Sequence, residues 1–388
     1  MDEAYRNDSS IEEKWHSLAT LLNCGNPVFD QTLILFGYDF SSNIYLLQGD
    51  YLSLIDSGND YTAFMQLFDL GFKPPDIKKI ALTHGHTDHV MGTVELFRGY
   101  RGYGQLDLEI ILHEAGPQQF KEIAQQLGCR LTEVRGGEII NLSGLELEVI
   151  HTPGHTLDGL CFYHEPTGAL FSGDTVLPHA MAEIDTAGGG RLDHYLYALR
   201  TLMQKEVRHV LPGHGGVAPH IGRRVMEETY EGLIKKMVGV ETPWMDGVTT
   251  LAQQGLLREA LFYCHKELAA NPDNFPALET KAYLLCDLGR NHEAVAVFDE
   301  ILAQPRDHLY SLMGKGTALM GLEQYQESLD CFDQALSIKP DFQEAQISKG
   351  LALFLAGKPE EAMNIEAFRR KYTGRVREFL QKSPSGIA

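Results

Sequence analysis

The run His84-Gly85-His86-Thr87-Asp88-His89 constrains this chain more than any other stretch. Three imidazoles and one carboxylate within six residues suit a divalent ion such as zinc, which prefers nitrogen and oxygen donors. The stretch from Lys78 to Thr83 reads as a short buried strand, and Val90 to Phe97 carries apolar residues at helical spacing. The motif is therefore predicted on a strand-to-helix loop. In extended backbone His84 and His86 point to one side, and the Asp88-His89 step turns two more groups another way. Four such groups exceed what one tetrahedral ion needs from so short a run, so two neighbouring ions are expected.

Further loops repeat the arrangement. His151-Thr-Pro-Gly-His155, Gly173-Asp174-Thr175 and Pro212-Gly213-His214 each follow a predicted strand and set a His or Asp beside glycine. Asp56, at the end of the strand Leu52 to Ile55, either orients a ligand or caps a helix beginning near Tyr61. Strands over 32–36, 44–47, 108–112, 138–141 and 145–150 alternate with helices over 59–70, 117–127 and 221–238. That alternation predicts an α/β half.

Composition narrows the class. Residues 241–388 hold 21 acidic and 15 basic side chains, which leaves 32 of the chain's 53 acids and 18 of its 33 bases for residues 1–240, a net −14. An acidic surface repels phosphate backbones, so no nucleic-acid partner is expected. No apolar run approaches a membrane span, and no membrane association is expected. The polar N-terminus shows no signal pattern, and the six cysteines form no Cys-x-x-Cys pair. Free thiols in the cytoplasm are expected.

Taken in order, His84-x-His86-x-Asp88-His89, Thr-Pro-Gly-His155, Gly-Asp174 and Pro-Gly-His214 resemble the metallo-β-lactamase superfamily over about residues 30–220. The resemblance implies a four-layer αβ/βα sandwich with a dinuclear metal site. By position, His84, His86 and His155 would bind one ion, Asp88, His89 and His214 the other, and Asp174 would bridge them. Asp56 would be the supporting carboxylate. The commonest zinc β-lactamases carry Cys where Asp174 stands, and the flavin-linked reductases carry Glu at the position of His86. What remains resembles glyoxalase II-like hydrolases, with mononuclear-iron persulfide dioxygenases as the alternative. The resemblance implies hydrolysis of an ester, thioester or related acyl bond of a small substrate by a metal-activated hydroxide that Asp88 orients. Two divalent ions, zinc ahead of iron or manganese, are the implied cofactors. No Gly-x-Ser-x-Gly elbow competes as nucleophile.

Other histidines read more plainly. His151 is expected to brace its turn, and His179, His194 and His220 lie near site loops. His16, His113, His164 and His209 read as structural. The loop from Leu177 to Leu192, with Gly188-Gly189-Gly190, is expected to be a substrate lid or a flexible connector.

Beyond Glu241-Thr242-Pro243 the strand signal stops and a 34-residue period begins. Small residues recur at Ala282, Gly316 and Gly350, and again at Ala260, Ala294, Ser328 and Ala362. Cys264, Phe298 and Phe332 form a third register that breaks at Glu366. Gly255, Gly289 and Gly357 mark turns, with Glu323 the exception, and Pro305 falls one residue early. This pattern resembles about four tetratricopeptide repeats, an all-α solenoid beginning near 241, 275, 309 and 343. The expected organisation is a catalytic domain over 1–240 and a repeat domain over 241–388. The resemblance implies that the repeats bind a protein or peptide, or mediate self-association. An adaptor without catalysis is the remaining alternative.

Overall fold

The computed structural model describes residues 15–37, 40–59, 62–99, 107–304 and 308–372, so Tyr61 and Pro305 lie outside the described residues. The chain divides into two compact units, Met1–Lys235 and Lys236–Ala388. This division falls inside the helix Gly222–Val238, five residues before the boundary expected after residue 240.

The first unit holds two sheets. In one, β1 (His16–Ser17), β2 (Thr32–Leu35), β3 (Ile44–Gln48), β4 (Leu52–Ile55), β5 (Ile77–Ala81), β6 (Glu109–His113) and β7 (Arg130–Val134) lie in sequence order. The strands are antiparallel as far as β4 and parallel from β4 to β7. The other sheet runs β12-β11-β10-β9-β8, from β8 (Ile139–Leu142), β9 (Leu145–His151), β10 (Leu160–His164), β11 (Ala169–Gly173) and β12 (His209–Pro212). Only β11 and β12 are parallel there. The connecting helices are α1 (Leu18–Leu22), α2 (Pro27–Asp30), α3 (Thr62–Asp69), α4 (Thr87–Gly99), α5 (Gln118–Gln126), α6 (Leu192–Leu202) and α7 (Gly222–Val238).

Side-chain alternation divides the core. Tyr45 and Leu47 of β3 join Ile55, Ile111, Leu147, Phe162 and Phe171 in a cluster drawn from both sheets. Their neighbours Ile44 and Leu46 turn to the other face, where they pack with Phe64, Val94, Phe97 and Phe120 of α3, α4 and α5. The strands over 130–134 and 160–164 are not legible from pattern. β7 has exposed Arg130 and Glu133, and β10 is buried at every residue, so neither alternates.

Two core histidines give the first unit a pH dependence. His113 stacks on His151 with ring centroids 4.1 Å apart and accepts a hydrogen bond from the Ala115 N–H. His209 meets Phe29 edge-on and lies 4.7 Å from the His220 ring. Burial first, then the neighbouring imidazole, pushes each from 6.5 down to about 4. Both are neutral in the fold, whereas the unfolded chain binds their protons below about 6.5. Stability is therefore fully present above that value and falls as the pH drops towards 4. The urea midpoint of metal-free protein is expected to fall across this window, and less steeply in His209→Gln. A midpoint constant from neutral pH to the lower limit of the window would contradict the assignment.

The second unit is entirely helical among its described residues. Its helices are α8 (Trp244–Gln253), α9 (Leu257–Ala270), α10 (Phe275–Asp287), α11 (Asn291–Leu302), α12 (Leu309–Gly321), α13 (Tyr325–Ile338), α14 (Gln343–Leu355) and α15 (Pro359–Asn364). From α9 onward each helix starts 34 residues after its counterpart in the preceding pair. Gly255, Gly289 and Gly357 take left-handed φ of 77°, 73° and 78°, and Glu323 keeps the same geometry at 62° without being glycine. The register that breaks at Glu366 is restored two residues later. Ile365 interrupts the helix with extended backbone, and Phe368, 1% exposed, packs where a Cβ on Gly350 would lie. No described helix is long and apolar enough to cross a membrane.

Candidate metal centre

The motif straddles a strand end and a helix start. β5 ends at Ala81, and α4 begins at Thr87, earlier than the apolar spacing implied. Asp88 and His89 thus occupy the first helical turn, where the helix dipole favours a carboxylate. The other groups also follow strand ends, namely Asp56 after β4, His155 after β9, Asp174 after β11 and His214 after β12. In open sheets that edge is where ligands bind.

The structure brings all seven predicted side chains together. Three overlapping groups have ligand-capable atoms within 4.8 Å of one another: His84, His86 and His155; His84, His89 and Asp174; and Asp88, His89 and His214. Asp174 lies between the outer two. Its Oδ2 is 3.8 Å from His155 Nε2 and 3.5 Å from His214 Nε2, and its Oδ1 is 3.6 Å from His89 Nε2. Asp88 Oδ2 approaches His214 Nε2 to 3.0 Å. Gly213 must lack a side chain, since a Cβ there would strike Asp174 Oδ1 and come within 2.8 Å of His89 Cε1.

Hydrogen bonds on the outer side aim the rings inward. Asp56, held at a left-handed φ of 58°, accepts from the Thr83 N–H, the Thr83 hydroxyl and His89 Nδ1, each at 2.8 Å. The carboxylate therefore serves His89, and Nε2 of that ring is left to face the cluster. His86 Nε2 donates to Asp185 Oδ2 at 3.0 Å, and His155 Nδ1 donates to the Glu183 carbonyl. Tyr195 on α6 donates to the Asp174 and Thr175 carbonyls, which anchors the loop that carries Asp174.

Burial lowers His84 well below the ordinary imidazole value, and the surrounding histidines add to the effect. Burial likewise lowers His155. Burial alone would lower His89, but the carboxylates of Asp56 and Asp174 outweigh it and hold it well above. Burial would raise Asp88 and Asp174, yet the histidines around them hold both below the usual carboxylate range. The hydrogen bond to Asp88 raises His214.

A cation fits this arrangement. His84 Nε2, His89 Nε2 and Asp174 Oδ1 are buried with no hydrogen-bond partner among the described residues. Leaving such groups unpaired is costly, and they face one another. His86 Nδ1 and His155 Nε2 lie 3.1 Å apart while the outer nitrogen of each ring donates to the protein. In the neutral rings both inner nitrogens then present lone pairs, which need a cation or an added proton between them. The donor set is nitrogen and carboxylate oxygen without thiolate, a set that suits zinc, iron or manganese.

Sequence reasoning missed Asp185 and the Glu183 carbonyl, because nothing in a glycine-rich loop marks which strand end it will meet. His151 does brace its turn, with Nε2 bonded to the Leu157 carbonyl at 2.9 Å. His179, His194 and His220 belong to none of the three groups. His220 instead lies 3.4 Å from Cys24 Sγ.

Residues 37–214 match the metallo-beta-lactamase superfamily, and residues 313–371 match the tetratricopeptide repeat. The chain is similar to an atrochrysone carboxyl ACP thioesterase of Aspergillus aculeatus, 27% identical over 190 residues, covering 48% of this chain and 54% of that protein. A second such thioesterase, from Aspergillus fumigatus, is 30% identical over 193 residues, covering 48% and 55%. The chain spans about half the length of these relatives. Among solved structures, a metallo-beta-lactamase family protein from Thermus thermophilus aligns at 24% identity and a TM-score of 0.43, covering 62% of this chain and 93% of that one.

Proposed function

We propose that the chain is a metal-dependent hydrolase of acyl thioesters or esters that carries a repeat module for a protein partner or for self-association. The observation that carries the reading is the convergence of seven ligand-capable side chains, of which His84, His89 and Asp174 turn buried, unpartnered atoms towards one another. His84, His86 and His155 would hold one divalent ion, Asp88, His89 and His214 a second, and Asp174 would bridge them, with zinc the first choice. Ions so held would supply a more acidic water and a Lewis acid for the acyl carbonyl. Asp88, partly exposed beside His214, would orient the attacking water. In the reaction water oxygen bonds to the acyl carbon, the carbon–sulfur or carbon–oxygen bond breaks, and a carboxylic acid and a thiol or alcohol leave. The thioester preference rests on what the relatives are named for. The second triad of Asp88, His89 and His214 offers a second ion a place, as the two-ion reading requires.

The test uses the purified full chain, elemental analysis, and an acyl N-acetylcysteamine thioester with colorimetric detection of the released thiol. The expected result is about two divalent ions per chain and turnover that chelation abolishes and zinc restores. Turnover that survives exhaustive chelation would overturn the proposal. One iron per chain with oxygen uptake would replace it by the oxygenase reading.

A further inference from the structure

We propose that the segment from Glu183 to Gly190 is a clamp that fixes the ring orientation of two ligand histidines, with Asp185 as its positioning residue. The inference rests on the metal reading above. Asp185 Oδ2 takes the Nε2 proton of His86, which leaves Nδ1 facing inward, and the Glu183 carbonyl takes the Nδ1 proton of His155, which leaves Nε2 facing inward. One short segment thereby sets complementary tautomers on residues that are 69 apart in sequence.

The segment is laced to the turn that carries His155. The Asp185 N–H donates to the His155 carbonyl at 2.8 Å, the Leu157 N–H to Gly188 at 2.9 Å, and the Arg191 N–H to Gly154 at 3.0 Å. Gly190 closes the segment on the Asp185 carbonyl, and a Cβ there would strike the carbonyls of His155 and Gly154. These bonds tie the segment to the turn that carries His155. It is built to hold His86 and His155 as a unit. Groups in this position commonly change metal affinity by about 10–100-fold when removed.

The test compares wild type, Asp185→Asn and Asp185→Ala as full chains, with zinc affinity measured against a chromogenic chelator. Asp185→Ala is expected to bind one zinc about 10–100-fold more weakly and to keep the other. Asp185→Asn, whose amide oxygen still accepts, should recover part of the loss. Nitrogen-15 spectra of metal-free protein should show His86 protonated at Nε2 in wild type and mixed between nitrogens in Asp185→Ala. The metal-free melting temperature should fall only slightly, by the loss of the exposed bond from the Ala187 N–H to Asp185 Oδ1. Wild-type affinity for both ions in Asp185→Ala would overturn the clamp, as would an early-melting variant that loses both. If wild type takes up no divalent ion, the proposed function fails. The His86 tautomer then decides the clamp alone, an unchanged ring in Asp185→Ala overturning it.

Discussion

Replacing Asp174 by asparagine is expected to empty both metal positions, not one. Asp174 is 9% exposed and reaches towards His155, His214 and His89 within 3.8 Å, so its carboxylate is an anion placed between the two triads. Two divalent cations a few ångströms apart repel each other, and a bridging charge offsets that repulsion. Asparagine keeps the shape and an oxygen but removes the charge. Removing a residue that merely orients a ligand commonly costs about 10–100-fold in affinity, and loss of a shared ligand should exceed that range. Elemental analysis should find fewer than one ion per chain, and thioester turnover should fall by at least about 100-fold. A variant that holds two ions and turns over normally would show that Asp174 does not bridge.

The unequal legibility of the site has a physical basis. Every side chain that faces the cluster follows a strand, and glycine or proline marks those strand ends, so the motifs and their order expose all seven. Asp56 is ambiguous in sequence between ligand support and a helix cap, because both place a carboxylate after a strand. Only the folded contact with His89 Nδ1 decides it. Asp185 is not legible, since its effect depends on where a glycine-rich segment lands. The same contrast runs through the fold. β9, with Leu145-Glu146-Leu147-Glu148, and the helical repeats announce themselves by period, whereas β10, buried throughout, has no polar face to alternate with. Phe368 escapes the 34-residue register because the break in the helix at Ile365 displaces the anchor by two residues.

The repeat array should depend as heavily on one aromatic ring as the site does on Asp174. Phe332 is fully buried on α13, and a Cβ on Gly316 of α12 would lie 2.6 Å from its Cε1. The ring thus fills the space that the glycine leaves, and the hydroxyl of Ser328 locks the same helix pair by donating to the Gly316 carbonyl at 2.7 Å. Alanine at 332 would leave a cavity next to a residue that has no side chain to collapse into it. Phe→Ala in such a setting costs about 3–5 kcal/mol. Repeats stabilise one another through neighbour contacts, so the loss should spread to the α14–α15 pair, where Phe368 occupies the corresponding socket on Gly350. Urea unfolding followed by far-ultraviolet circular dichroism should show an earlier helical transition, with metal content in native buffer unchanged. Phe298→Ala, against Gly314, should lose a similar amount. A cost below about 1 kcal/mol at either position would mean that the cavity closes freely. The small residues at 314 and 316 inside α12 would then not be required for packing one helix against the next.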